Sequence, residues 1–150
     1  REFGFNALLS LRLEKGFGIW SAEFTQGYTP GMTGMDRWID WEKEEFIGQA
    51  AAIKERDGNG PAQKLVMLEI DADDADASGY EPVWNNDSLV GFVTSGGYGH
   101  TLKKSLAMAL VNNDLANENQ KLKVHVVGVE KDATVIQASP YDPEGKVMRV

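Results

Sequence analysis

Apolar positions recur with helical spacing along the first third of the chain, and beyond it they alternate as they do in strands. Phe5, Leu8, Leu9 and Leu13 fall near one helical face, Asn6 can cap the start, and Gly16 stands where a residue past a helix end belongs. This spacing predicts a helix over about 6–15. A second helical run covers about 45–56, through Phe46, Ile47 and Ile53, and stops at Asp57-Gly58-Asn59-Gly60-Pro61, a glycine-rich exit that marks the best internal boundary. After Pro61 the pattern predicts strands at about 64–70, 82–84, 89–94, 106–111, 122–129 and 133–138. Asn85-Asn86-Asp87 reads as the turn between the second and third of these. Glu130-Lys131-Asp132 reads as the turn of the last hairpin, and Thr94 to His100 as a glycine-rich structural turn.

No helix of crossover length separates the strands, so an antiparallel barrel or sandwich is expected rather than a parallel sheet. The fold class is α+β: a helical and loop-rich segment at 1–60, then an antiparallel Greek-key-like β-barrel at 61–150.

Composition narrows the function classes. The chain has 150 residues, no cysteine, two histidines and a formal charge of −8. Such a length buries a core without staples, and zero cysteine excludes disulfides, thiolate nucleophiles and zinc ribbons. The acidic balance argues against nucleic acid as a partner, because phosphate-backbone binders rely on clustered Lys and Arg. No window approaches the roughly 20 apolar residues that span a bilayer, and the chain opens without the apolar run of a signal peptide. A soluble protein is expected, or a soluble piece of one.

Most candidate chemistry has a structural alternative. Glu69 to Asp76 holds five acids in eight residues, but lacks the glycine and closing glutamate of an EF-hand, so a solvated interstrand loop is expected and no metal site. The Gly96-Gly97-Tyr98-Gly99 run matches neither the P-loop nor the dinucleotide fingerprint. Ser95 and His100 carry no nucleophile-elbow pattern, and His125 reads as a side chain at the barrel surface or mouth. Glu14 differs from these. It ends the first helix, where the helix dipole disfavours a negative charge, so it is either a functional carboxylate or half of an ion pair with Arg12 or Lys15.

Three blocks carry a resemblance. They are Ser10-Leu11-Arg12-Leu13-Glu14-Lys15-Gly16-Phe17-Gly18-Ile19-Trp20, followed by Glu23 and Tyr28-Thr29-Pro30; Asp40-Trp41-Glu42-Lys43-Glu44-Glu45-Phe46-Ile47-Gly48; and the stretch from Val90 to Gly99 with Leu102 to Ala109. In this order they resemble the folate-dependent aminomethyltransferase family, the glycine-cleavage T-protein group. The ending Tyr141-Asp142-Pro143-Glu144-Gly145 and the Trp20 region are most similar to the C-terminal halves of dimethylglycine and sarcosine dehydrogenases.

The resemblance implies that 1–60 is the remnant of a folate-binding domain and 61–150 the C-terminal barrel domain. It implies tetrahydrofolate as cofactor, an amine such as dimethylglycine or sarcosine as one-carbon donor, FAD in a missing N-terminal half, and that half as a partner. Glu14 matches the family's folate-contacting glutamate; Lys43 is the ungapped match to a basic residue that meets a folate carboxylate; Trp20 either walls the pterin pocket or is core. The family's late tyrosine has no clear counterpart, Lys146 or Val147 occupying its place. The acidic residue after Thr-Pro is replaced by Gly31-Met32-Thr33. The family's catalytic aspartate lies N-terminal of this segment, so the chain alone is not expected to catalyse transfer. Another folate-dependent demethylase and a non-catalytic interdomain barrel are the alternatives. The expected compartment is the cytoplasm, or the mitochondrial matrix in a eukaryote. Trp20, Trp38 and Trp41 are expected to leave apolar surface exposed.

Overall fold

The computed structural model describes residues 2–149. Three α-helices, α1 (Phe5–Lys15), α2 (Pro30–Thr33) and α3 (Gln49–Asp57), precede six strands: β1 (Gln63–Ile70), β2 (Pro82–Asn85), β3 (Ser88–Gly99), β4 (Lys104–Asn112), β5 (Lys121–Val126) and β6 (Val129–Ile136). All strand pairs are antiparallel, and the order β1-β4-β3-β2-β5-β6 closes into a barrel because β6 also pairs with β1. Strands β2, β3 and β4 run as a meander, and the long β1–β2 connection brings β1 beside β4, as in a Greek key.

Alternation on the strands builds two apolar layers. Val66 and Leu68 of β1 and Ala107, Ala109 and Val111 of β4 face the barrel interior, where small residues suit a narrow six-stranded lumen. Met67, Leu106 and Met108 face outward and pack with Leu13 of α1. Strand β4 is therefore buried on both faces. Leu13, 1 % exposed, is the apolar residue that seats the helix, a contact of about 1.5–3 kcal/mol.

Four sequence expectations are corrected. Helix α1 starts at Phe5, with Gly4 at its cap position and no side-chain capping bond, so Asn6 lies inside the first turn. Helix α3 begins at Gln49 rather than near 45, because Gly48 adopts a left-handed φ of 88° that ends the preceding turn. Thr94 to Gly99 is not a turn; it continues β3, with an irregularity between Val93 and Ser95, and Gly96 and Gly99 fit crowded neighbours. A Cβ on Gly96 would collide with the Ala77 carbonyl. The last hairpin turns at Val127-Gly128, both with positive φ, and Glu130 to Asp132 lie within β6. Such two-residue turns normally carry Asn-Gly, so a valine there gives no turn signal. The expected Asn86-Asp87 turn does connect β2 to β3.

Candidate functional site

The end of α1 is fastened to the barrel by two carboxylates. Gly16 closes the helix with φ 72°, its N–H reaching the Leu13 carbonyl at 3.0 Å while the Phe17 N–H reaches Arg12 at 2.8 Å. A Cβ on Gly16 would run into the Ala138 carbonyl, so glycine is required both by conformation and by close approach.

Glu14 is only 2 % exposed. Its Oε1 accepts hydrogen bonds from the backbone N–H groups of Thr101 (2.6 Å) and Leu102 (2.9 Å) in the β3–β4 turn. Two amides thus compensate a carboxylate set against the negative end of its helix. Gly99 makes room: an alanine Cβ there would lie 2.9 Å from Leu106 and 3.1 Å from the Glu14 side chain. Glu14 Oε2 accepts no hydrogen bond among the described residues. Neither suggested ion pair forms, because Arg12 and Lys15 turn to other partners.

Arg12 pairs with Glu23 at 3.1 Å, both side chains buried. Glu23 also accepts from the Ile19 N–H at 2.8 Å, from Thr94 Oγ1 at 2.7 Å and from Ser95 Oγ, tying helix, loop and β3 into one polar knot. Burial first, with Tyr80 and Glu23 nearby, pushes the Tyr28 hydroxyl above the ordinary tyrosine range. Lys15 meets the Asp142 carbonyl and carboxylate, and Asp142 also caps the N–H groups of Lys146 (2.7 Å) and Val147 (3.2 Å). The tail past β6 is thereby strapped over α1, with the Tyr141 N–H donating to the Glu14 carbonyl at 2.9 Å.

A cavity of about 340 Å³ opens beside this strap. Glu14 lines it together with the apolar Leu8, Leu11, Phe17 and Tyr141. Of Glu14, Lys43 and Trp20, only Glu14 lines it; Val147, at the place of the family's late tyrosine, also does. Trp20 is 81 % exposed in the turns after α1 and is not core. Lys43 is exposed on the loop before α3, where its carbonyl accepts from the Gln49 side chain at 3.0 Å. Tyr141 and the Arg12–Glu23 pair escaped sequence reading: Glu23 sits in irregular chain with no period to expose its burial, and Tyr141 reaches the cavity only through the strap.

Residues 63–142 match the glycine cleavage T-protein C-terminal barrel domain. The chain belongs to this family. Among curated relatives of the T-protein barrel, mitochondrial dimethylglycine dehydrogenase of Rattus norvegicus is 36 % identical over 91 % of the chain and 16 % of its own length. Aminomethyltransferase of Synechocystis sp. is 33 % identical over 95 % of the chain and 38 % of its own length. A solved structure, glycine cleavage system aminomethyltransferase T from Bartonella henselae, superposes with a TM-score of 0.84 at 25 % identity, covering 93 % of this chain and 39 % of that one. The T-protein barrel and its preceding helices thus span about a sixth to two fifths of these relatives. No helix among the described residues is long and apolar enough to cross a membrane.

Proposed function

We propose that the chain is the C-terminal part of a tetrahydrofolate-dependent aminomethyltransferase-like protein, in which 1–60 completes a folate-binding domain and 61–150 is the barrel domain. The observation that carries this reading is Glu14: a buried carboxylate with one oxygen anchored by two amides and the other left without a protein donor, on the wall of an apolar cavity.

The residues present fit a pterin. A carboxylate accepts paired N–H donors in a charge-assisted geometry, apolar walls accept a flat ring, and the cavity falls within the roughly 300–1,000 Å³ of small-molecule sites. When bound, tetrahydrofolate supplies the nitrogen that accepts a one-carbon unit. Glu14 would fix the ring, and fixing one reactant against another replaces a bimolecular encounter. Lys43 would meet a folate carboxylate as a point charge and Trp20 would wall the pocket from a preceding domain; their exposure leaves both available to chain outside 1–150.

The amine donor is of the dimethylglycine or sarcosine type, with an FAD-bearing half preceding the folate domain, a reading supported by the similarity to dimethylglycine dehydrogenase. The exposed Phe5 and Trp20, outside the cavity, offer apolar surface on which that preceding chain would pack. The compartment is the cytoplasm, or the mitochondrial matrix as for the mitochondrial relatives. The test is a titration of the protein, extended to aminomethyltransferase length, with a reduced folate. Glu14→Ala is expected to weaken binding at least tenfold, Lys43→Ala severalfold and Trp20→Ala severalfold; unchanged affinity for Glu14→Ala would remove the assignment.

A further inference from the structure

Four of the chain's five methionines line one cavity, of about 270 Å³, on the outside of the barrel. Met32 and Met35 reach it from α2 and the residues just after it, Met67 from β1 and Met108 from β4. Met67 and Met108 are a cross-strand pair packed with Leu13, and they are 2 % and 3 % exposed. Met32 is half-buried, and Met35 is 37 % exposed. The four side chains thus grade from solvent to core around a single cavity. Gly34 leaves it open on the α2 side, where an added Cβ would meet no atom within 4 Å.

Thioethers bind soft cations, but this set does not suit one. Met108 Sδ already accepts from the buried Arg12 guanidinium at 3.8 Å, and the exposed Arg37 lines the same cavity, so a metal cation would join two positive groups. The same surroundings suit an oxidised methionine. Oxidation turns a flexible apolar side chain into a polar one whose new oxygen accepts hydrogen bonds. The Arg37 guanidinium lies 5.6 Å from the Trp38 ring and forms no hydrogen bond or ion pair among the described residues, so its donors are available to that oxygen. The segment that carries the outer methionines is also weakly seated. Helix α2 is a single turn, held by the Met32 N–H on Thr29 Oγ1 at 3.2 Å and by the Met35 N–H on the Pro30 carbonyl at 2.9 Å. None of its residues is fully buried, so its place on β1 depends on partly buried side chains, Met32 among them.

We propose that Met35 is a site of reversible sulfoxidation by peroxide-class oxidants, that Met32 follows it, and that its sulfoxide loosens α2 from β1 while Met67 and Met108 stay reduced. The Met35 sulfur attacks one peroxide oxygen, the O–O bond breaks and an S–O bond forms. The departing hydroxide takes the proton of the transferred OH and leaves as water, so the thioether loses two electrons and the peroxide gains them. A methionine sulfoxide reductase restores the thioether. This site is separate from the Glu14 cavity and does not rest on the folate reading.

The test treats the 150-residue chain with hydrogen peroxide, maps oxidation by peptide mass spectrometry and follows the backbone amides by NMR. Sulfoxide is expected at Met35 at least about tenfold faster than at Met67 or Met108, in keeping with its exposure. Amide shifts should accompany it at residues 30–37 and 64–67 and be absent from β5 and β6. Met35→Leu, a volume-conserving change, should keep the parent spectrum and lose the early peroxide response. Met35→Gln, which puts a polar group at the same place, should shift the same amides without oxidant. Oxidation of Met67 or Met108 as fast as Met35 would overturn the proposal, as would Met35 sulfoxide that leaves the α2 and β1 amides unmoved. So would an early response to peroxide that Met35→Leu retains.

Discussion

The barrel and the segment before it treat apolar side chains in opposite ways. Between β1 and β6 most large aliphatic residues are buried, in a lumen column or in the outer layer under α1, the exposed Leu89, Val127 and Val129 lying at or beside hairpin turns. Before β1, Phe5, Leu8, Leu11, Phe17, Trp20, Trp38 and Ile47 are all exposed, Trp38 at 73 %. Trp41 is the exception among the three tryptophans; it is half-buried, with the Arg56 guanidinium stacked 4.4 Å from its ring. Residues 2–60 thus do not close a core of their own. They are held to the barrel by Leu13, by Glu14 on the turn amides, by the Lys15–Asp142 strap and by the polar knot, and they leave much apolar surface exposed.

This difference separates the contacts that stabilise the chain from the apolar surface it leaves open. If the knot holds the two regions together, Glu23→Ala should give the largest loss, about 3–5 kcal/mol in denaturant unfolding, because it leaves the Arg12 guanidinium buried without its partner. Leu13→Ala should cost about 2–5 kcal/mol by opening a cavity over Met67 and Leu106, and amide exchange should rise in α1 before it rises in β4. A smaller effect of opposite sign belongs to the barrel alone. Val127→Asn should stabilise by about 1 kcal/mol, since the left-handed backbone at φ 49° strains a side chain branched at Cβ. Trp20→Ser should change this chain's stability by less than about 0.5 kcal/mol, as expected of an exposed position with no buried contacts. A loss of 2 kcal/mol there would show that the outward face already has a partner within the chain.

The sequence showed the barrel more clearly than the site. Alternation marks six strands, because each has an interior column that must be apolar, and the absence of crossover helices between them points to antiparallel pairing. Alternation fails where geometry departs from pattern: Val127-Gly128 turns with a valine where Asn is usual, and Gly96-Gly97 looks like a loop although both glycines lie within β3. Glu14 was legible as a charge at the wrong end of a helix, and the motif around it supplied a ligand class. Its anchoring amides at Thr101 and Leu102 lie 87 and 88 positions away, and no local pattern reports such a pairing. Proximity in sequence offers Arg12 or Lys15 as an ion-pair alternative for Glu14, yet the buried Arg12 pairs with Glu23. Tyr141 enters the cavity wall through the strap made by Lys15 and Asp142, a contact across 127 positions.

In the proposed function Glu14 offers a carboxylate to a ligand while the turn amides hold it in place. Glu14→Gln tests it most directly, since the amide oxygen can still accept from Thr101 and Leu102 while the charge and one acceptor are lost. Calorimetric titration of the aminomethyltransferase-length protein with a reduced folate should show affinity reduced at least tenfold, with a melting temperature within a few degrees of the parent. Equal affinity in the Gln variant would contradict the account.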